Sequence, residues 1–124
     1  MRVAAGVFDN PLHDALCDEF LNDPRHHLAV AIDAGIVVGM ASGVHYIHPD
    51  KAPELWINEV GVAPSHQNQG IGRQLVDALL NEGRRLGCLE AWVLADRTNK
   101  PALQMYAACG GVPVPDQVML AFKL

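Results

Sequence analysis

The 124-residue sequence contains no hydrophobic run that approaches the roughly 20 apolar residues of a transmembrane helix. Its N-terminus carries one basic residue, Arg2, and an apolar run that stops at Phe8, which is not the pattern of a signal peptide. Basic residues are also scarce, with 9 Lys and Arg against 14 Asp and Glu and a formal net charge of −5. We therefore expect neither a membrane nor a nucleic acid as partner, whereas a cationic small substrate suits the acidic balance.

Cysteine is rare, and the three that occur are widely spaced without a CxxC pair: Cys17, Cys88 and Cys109. Such a set is typical of buried thiols in a reducing compartment, so a cytoplasmic location is expected. The adjacent His26 and His27 point apart on any regular element, and no cysteine or carboxylate recurs near His45 and His48 at ligand spacing. The sequence therefore predicts no metal site.

This length supports one hydrophobic core, so a single domain over residues 1–124 is expected. Apolar periodicity, turn residues and helix caps predict alternating strands and helices. Strands are predicted within residues 1–8, 28–32, 36–44, 55–62, 90–95 and 117–124, and helices at 11–21, 70–86 and 101–109. The strands at 28–32 and 36–44 form a hairpin around Asp33-Ala34-Gly35, and Gly39 and Gly43 mark a bulge or a close contact.

A helix separates the strand at 55–62 from the strand at 90–95, which is predicted to be buried, so these two can be parallel neighbours. The remaining strands would be antiparallel. The predicted fold class is α/β of the mixed (α+β) kind, a mostly antiparallel central sheet flanked by helices. Trp56 and Trp92 fall on central strands and are interpreted as core residues, with lining of a cleft as the alternative for Trp56.

Residues 55–86 contain the most informative pattern: a strand, Pro64, a polar glycine loop and an amphipathic helix. Gly70 lets the backbone approach a ligand oxygen without a β-carbon in the way, and Gly72 repeats this one step into the helix. The helix N-terminus adds unpaired N–H groups and about half a positive charge. This order suits a phosphate cradle, although an ordinary strand–loop–helix connection is equally consistent. A Walker P-loop and a GxGxxG motif are both absent from the sequence.

The loop resembles the pyrophosphate motif of the GNAT superfamily, the acetyl-CoA-dependent N-acetyltransferases. That motif, Gln/Arg-x-x-Gly-x-Gly/Ala, corresponds to Gln67, Gly70 and Gly72. A second family pattern follows in register at Asn99, Ala102, Tyr106 and Gly110. The resemblance covers residues 28 to 124 and is strongest to the small aminoglycoside 3-N-acetyltransferases and their relatives. The N-terminal part is shorter than usual for the family, and Gly111 stands where many members carry an aromatic residue.

The resemblance implies acetyl-CoA as co-substrate and assigns it a set of binding residues: Val60, Val62, Gln67, Asn68, Gln69, Gly70, Ile71, Gly72, Arg73 and Asn99. The backbone of Val60 and Val62 would pair with the pantetheine amide like an added strand. Asn99 would hydrogen-bond the pantetheine, with a plain helix cap as the alternative. Arg73 would reach a phosphate, unless it is only a solvated helix residue.

The resemblance also implies two catalytic residues, Glu59 and Tyr106. Residue alternation places Glu59 on the face opposite Val60 and Val62, where it would bind the acceptor or take its proton through water. A surface carboxylate is the alternative. Tyr106 would protonate the departing thiolate, and the alternative is a core tyrosine.

The function implied is transfer of an acetyl group from acetyl-CoA to a primary amine of a small cationic molecule, such as an aminoglycoside, within a ternary complex. A protein N-terminus or lysine as acceptor, and a non-catalytic acyl-CoA-binding module, are the alternatives. Small family members often pair, and the strand-like C-terminus would be suited to contribute to a homodimer.

Overall fold

A mixed sheet of five strands forms the centre of the computed structural model, which describes residues 2–124. Its strands are β1 (Arg2–Val3), β2 (His26–Asp33), β3 (Ile36–Tyr46), β4 (Glu54–Val62) and β5 (Glu90–Val93). The helices are α1 (Asp14–Asn22), α2 (Ile71–Arg85) and α3 (Lys100–Ala108), with a 3₁₀ turn at Pro64–His66. The strand order is β1-β3-β4-β5, and β2 pairs with β3. The predicted fold class is confirmed.

The β2–β3 hairpin is antiparallel, as its turn residues predict. Ala34 and Gly35 have φ angles of 49° and 76°, the two positive values that a type I′ hairpin turn requires. Gly43 adjoins an irregularity in the pairing of β3 with β4. A β-carbon on Gly43 would lie 3.0 Å from the Trp56 carbonyl oxygen, so this glycine marks both a bulge and a close contact.

The core lies between α2 and one face of the sheet. Leu55 and Ile57 of β4 pack with Leu75, Val76 and Leu79 of α2, and all five are buried. A second cluster joins the N-terminal segment to β3 and the end of β4 through buried Val7, Val37, Val38, Met40 and Ala63. The amphipathic pattern of residues 70–86 is thus confirmed as a helix that covers the centre of the sheet, and Gly87, with φ 86°, follows its end.

β4 and β5 are parallel neighbours, as predicted, with Trp56 opposite Trp92. The prediction that the strand at 90–95 is buried was wrong. Only Val93 of β5 is half-buried, because β5 is the edge strand of the sheet and packs against the core through that residue alone. Trp92 is 39% exposed, which also corrects its interpretation as a core residue.

Two further elements differ from the prediction. α1 begins at Asp14 after His13, and not at Asn10-Pro11. Val7 is buried in the second cluster, and exposed residues 9–13 lead from it to the helix, which starts three residues later than its cap signal. Leu16 and Leu21 of α1 remain 62% and 67% exposed.

The predicted closing strand at 117–124 does not form, and its residues lie exposed. The prolines at 113 and 115 lack the N–H donors that a sheet ladder needs just before this segment. At the other terminus, the predicted edge strand is limited to Arg2–Val3, and Met1 lies outside the described residues. Among residues 2–124, no helix has both the length and the apolar character to cross a membrane.

Candidate active site

The two edges of β4 differ, and the difference creates an opening between β4 and β5. On one side, β4 pairs with β3 from Glu54 to Val62. On the other side, pairing with β5 stops at Ile57. Within the part of the chain that the structure describes, residues 58–62 therefore have no partner strand on the β5 side. Val60 and Val62, predicted to hold the donor, lie in this edge, whose backbone is available to an extended ligand that adds as a strand.

The loop after β4 is fixed by its own side chains. The Gln67 side-chain amide donates to the Val62 carbonyl oxygen at 3.0 Å, which ties the loop to the strand end. The His66 Nε2 atom lies 2.7 Å from a carboxylate oxygen of Asp33 in the hairpin turn, and its Nδ1 atom lies 2.7 Å from the Ser65 hydroxyl. Gln67 thus has a structural role besides the predicted contact with the donor.

The loop turns into α2 through two residues with positive φ, Asn68 at 62° and Gly70 at 78°. Open space surrounds the position of a β-carbon on Gly70. The first backbone bond of α2 runs from the Gln74 N–H to the Gly70 carbonyl at 3.1 Å. The preceding helical N–H groups have no acceptor within the helix and are available to an anion: those of Ile71, Gly72 and Arg73.

Packing between α2 and α3 favours glycine at position 72, apart from any approach to a ligand. A β-carbon there would lie 2.7 Å from the Met105 sulfur and 3.8 Å and 4.0 Å from the side chains of Val62 and Val60. β4, the helix that follows it and α3 therefore meet at this residue. Its small size allows α3, which carries Tyr106, to pack against α2.

Glu59 lies on the sheet face opposite the core, as alternation predicts. It pairs with Ser42 of β3, whereas Val60 pairs with Ala41, which belongs to the core cluster. Glu59 lines a cavity of about 390 Å³ on this face. Other lining residues come from the N-terminal segment, β3, β4 and the loop after β4, among them Gly6, Asp9, Asn58, Val60, Val62 and Gln67.

The N-terminal segment closes one side of this cavity by lying directly on β4. A β-carbon on Gly61 would be only 2.0 Å from the Val7 carbonyl oxygen, so the two backbones are in contact. This contact brings Asp9 to the same cavity as Glu59. Sequence reasoning missed Asp9, because no local pattern places residues 6–9 against β4.

Tyr106 lies on α3, half-buried against the core cluster. Burial, followed by the neighbouring Cys109, raises the pKa of its phenol, so the hydroxyl keeps its proton at neutral pH. Asn99 caps the same helix, since its side-chain oxygen accepts from the Ala102 N–H at 3.3 Å. The helix-cap interpretation of Asn99 is confirmed, and its contact with pantetheine stays a prediction.

The remaining predicted donor residues lie along the loop and the first turn of α2. Gln69 donates from its side chain to the Ser65 carbonyl oxygen at 3.5 Å. Ile71 packs half-buried against the core cluster. Arg73 is exposed, its side chain forms no ion pair within residues 2–124, and its carbonyl accepts from the Cys109 thiol at 3.7 Å.

A second cavity of about 400 Å³ lies between β2 and α2, lined in part by His26, His27 and Glu82. The His27 and His45 rings stack there, with Nε2 and Nδ1 only 2.7 Å apart. Burial, followed by the charge of His45, lowers the pKa of His27. Within residues 2–124, no group of three or more histidine, cysteine, aspartate or glutamate side chains is placed to hold a metal ion.

Known proteins resemble this chain in sequence. It is 36% identical over 74 residues to the mycothiol acetyltransferase of Thermomonospora curvata, which covers 58% of this chain and 24% of the relative. It is 33% identical over 104 residues to the N-alpha-acetyltransferase RimI of Mycobacterium tuberculosis, which covers 84% of this chain and 63% of the relative. The chain thus spans about a quarter and just under two thirds of the lengths of these two relatives.

The fold also matches solved structures. A crystal structure of an aminoglycoside acetyltransferase from an uncultured soil metagenomic sample, in complex with trehalose, superposes with a TM-score of 0.82 and 24% identity. The match covers 94% of this chain and 77% of that one, and establishes a common fold. The sequence also matches the profile of the Acetyltransferase (GNAT) family over residues 4–111. The chain therefore belongs to the acetyltransferase (GNAT) family.

Proposed function

We propose that this chain transfers the acetyl group of acetyl-CoA to a primary amine of a small cationic molecule, by direct attack in a ternary complex. The main observation behind the proposal is that β4 has both an unpaired backbone edge and a carboxylate beside a cavity. Its unpaired edge at residues 58–62 continues into a loop with free helical N–H groups, while Glu59 of the same strand faces an acidic cavity. One strand thus serves both substrates.

The donor is assigned to the edge of β4 and the loop. The backbone of Val60 and Val62 pairs with the pantetheine arm as an added strand. The N–H groups at the start of α2 bind the pyrophosphate, in a loop formed by residues 67–70. Arg73 is exposed on the first turn of α2, where its guanidinium can reach a phosphate.

The acceptor is assigned to the cavity lined by Asp9 and Glu59, because two carboxylates favour a cation. An amine with a pKa of about 10.4 is neutral in only about one molecule in 10³ at pH 7, a cost of about 4 to 5 kcal/mol. Glu59 offsets part of this cost by accepting a proton from the ammonium, directly or through a water. Asp9 contributes by attracting the ammonium form into the cavity.

The neutral nitrogen then attacks the thioester carbonyl carbon, and the C–S bond breaks as the tetrahedral intermediate collapses. The nitrogen loses its second proton to solvent, Glu59 releases the first proton to solvent, and Tyr106 donates its phenolic proton to the departing thiolate. Solvent returns a proton to Tyr106. The net products of ammonium and acetyl-CoA are an amide, CoA thiol and one proton.

A peptide N-terminus is the second candidate acceptor. The alignment with N-alpha-acetyltransferase RimI covers 84% of this chain, and a peptide amine would use the same Glu59 chemistry. An aminoglycoside acceptor is supported by the shared fold with the metagenomic aminoglycoside acetyltransferase. The two carboxylates at the cavity favour the small cation over a peptide of unspecified charge.

Release of thiol from acetyl-CoA, measured with aminoglycosides, simple diamines and free N-terminal peptides, separates these candidates. Turnover on cationic small molecules supports the proposal, and turnover on peptides alone favours the second candidate. Calorimetric binding of acetyl-CoA without turnover on any amine would identify a non-catalytic acyl-CoA-binding module instead.

The catalytic assignments are tested by Glu59→Gln and Tyr106→Phe. Each is expected to lower kcat by about 10²- to 10⁴-fold, the usual contribution of a general base or acid. Glu19→Gln, on the exposed part of α1, is the matched control and should keep wild-type kcat. Wild-type kcat in both site variants would refute the roles of Glu59 and Tyr106.

The proposal extends to the whole chain as one domain that acts in the cytoplasm as a homodimer. Cys17, Cys88 and Cys109 are free and half-buried, which is consistent with a reducing compartment. Sedimentation equilibrium tests the dimer, and a single cooperative unfolding transition tests the single domain.

A further inference from the structure

The sheet face opposite α2 carries three aromatic rings that form one rigid surface, the aromatic platform of Tyr46, Trp56 and Trp92. The two indoles stack across β4 and β5, with centroids 5.3 Å apart and planes 13° apart. The Trp92 Nε1–H donates to the Tyr46 hydroxyl oxygen at 2.9 Å, and Tyr46 stands edge-on to Trp92. The rings are therefore held in place before any ligand arrives.

This platform lies on the same face as the candidate base. Trp56 pairs with Val44 and Glu59 pairs with Ser42, and both residues face away from the buried side chain of Leu55. The two positions are three residues apart along β4, with an irregularity between them. At about 3.3 Å per residue, the platform starts about 10 Å from Glu59.

The chemistry of the platform suits a cation. The Trp92 indole N–H is already bonded to Tyr46, so that ring offers a ligand only its π face. The π face of tryptophan attracts ammonium groups more strongly than that of tyrosine or phenylalanine. Two carboxylates face each other in register beside it, Glu54 of β4 and Glu90 of β5. Glu54 bonds His48 at 2.7 Å, whereas Glu90 is exposed.

We propose that the aromatic platform binds a second cationic group of the acceptor, so that the preferred substrate is a small diamine or oligoamine. One amine lies at Glu59 for acetylation, and an ammonium group about 11 Å away, one strand further across the sheet, rests on Trp92 near Glu90. The inference rests on the proposed function for the place of the reacting amine. It adds a specificity site that acts through affinity and not through the chemical step.

The first test measures acetylation of linear diamines, from 1,3-diaminopropane to 1,10-diaminodecane, against monoamines of the same carbon number. An intermediate diamine should have the highest kcat/KM, and its monoamine counterpart should lack this advantage. In Trp92→Leu, KM for that diamine should rise about 2- to 30-fold, the range for a cation–π contact of about 0.5 to 2 kcal/mol. Its kcat, and the kinetics of the monoamine, should stay unchanged.

Two variants act as controls. Trp92→Phe keeps a ring face and should restore part of the affinity. Leu89→Ala, at an 85% exposed side chain just before β5, should leave both substrates unaffected. Equal kinetics for diamines and monoamines, or an equal loss for both in Trp92→Leu, would overturn the inference.

A binding measurement separates this inference from the proposed function. The tryptophan fluorescence of the wild-type chain is titrated with the same diamine and monoamine in the absence of acetyl-CoA. A change that saturates with the diamine alone, and disappears in Trp92→Leu, supports the platform even where no amine is acetylated. An unchanged spectrum overturns the platform, whereas absence of turnover on every amine overturns the proposed function.

Discussion

Two regions of the molecule differ sharply in how they are held together. The central frame, formed by β3, β4 and α2, contains most of the buried side chains, including Leu55, Val76 and Leu79. The C-terminal region, residues 84–124, contains no buried residue. Yet the candidate acid, Tyr106, belongs to this second region. The loop at residues 67–70 is therefore fixed by the packed frame, whereas the position of the candidate acid depends on how α3 docks on that frame.

The largest expected effect comes from opening the frame itself. Leu55 is 1% exposed beneath α2, so Leu55→Ala leaves a cavity and should lower the free energy of unfolding by about 2 to 5 kcal/mol. Leu103→Ala, in the C-terminal region at 39% exposure, should cost less than about 1 kcal/mol. Urea denaturation measures both. Similar losses in the two variants would remove the contrast between the regions.

The next prediction tests whether packing of the N-terminal segment on β4 stabilises the frame. In Gly61→Ala, the new β-carbon meets the Val7 carbonyl oxygen, a backbone atom that cannot rotate away. We expect a loss of about 1 to 3 kcal/mol in the free energy of unfolding, together with a change in the cavity of Asp9 and Glu59.

Gly87→Ala separates this clash from backbone strain. Gly87 has φ 86° but open space around its β-carbon position, so this variant should cost about 1 to 2 kcal/mol through strain alone. The KM of the amine acceptor should rise in Gly61→Ala and not in Gly87→Ala. An unchanged KM in both variants would mean that the N-terminal segment does not contribute to the candidate acceptor site.

The frame was predictable from sequence because its signals are local. Asp33-Ala34-Gly35 encodes a hairpin turn, and the apolar stripe of residues 71–85 encodes a helix with one buried face. Edge elements were not predictable in the same way. Trp92 has a high strand propensity whether or not a second layer covers it, and residues 117–124 have the pattern of a strand but no partner in the fold.

The same distinction between local and long-range signals applies to the candidate site. The positions of Gln67 and Gly70 in a loop were predictable because a motif of fixed spacing encodes that loop, and the face of Glu59 opposite Val60 because residues alternate along the strand. Asp9 was missed since its place depends on a backbone contact between Val7 and Gly61, which are distant in sequence. Such contacts depend on the packed shape of two segments, and neither segment encodes them alone.

A substitution with a smaller effect on stability tests the packing of α3 on α2, where the two regions meet. In Gly72→Ala, the new β-carbon meets the Met105 sulfur, the flexible part of a side chain, so the unfolding free energy should fall by less than about 1 kcal/mol. The Met105 side chain must turn away from the new β-carbon, and because Met105 adjoins Tyr106 on α3, kcat should fall by about 10-fold or more.

A double-mutant cycle identifies the cause. Met105→Ala removes the obstructing sulfur, so the variant that carries both changes should regain most of the kcat lost in Gly72→Ala. Acetyl transfer and urea denaturation are measured on all four proteins. If the second change restores nothing, the loss in Gly72→Ala arises in the donor loop and not in the docking of α3.

The smallest expected effect concerns a polar pair where β2 meets the frame. His27 of β2 stacks on His45 of β3 and faces Glu82 near the end of α2. Burial lowers the pKa of His27 below its ordinary value of 6.5, with a further contribution from the charge of His45.

The unfolded chain therefore binds more protons than the folded one just below pH 6.5, and stability rises with pH in that window. This contribution is complete above about pH 6.5 and is lost as the pH falls from there through the lowered pKa of folded His27. Urea midpoints from pH 8 to pH 5 should show the loss, and His27→Gln should flatten it while His13→Gln, at an exposed position, should not. Equal slopes in wild type and His27→Gln would mean that the pair does not contribute to the pH dependence. The packing of β2 on the frame would then be insensitive to protonation where His27 faces His45.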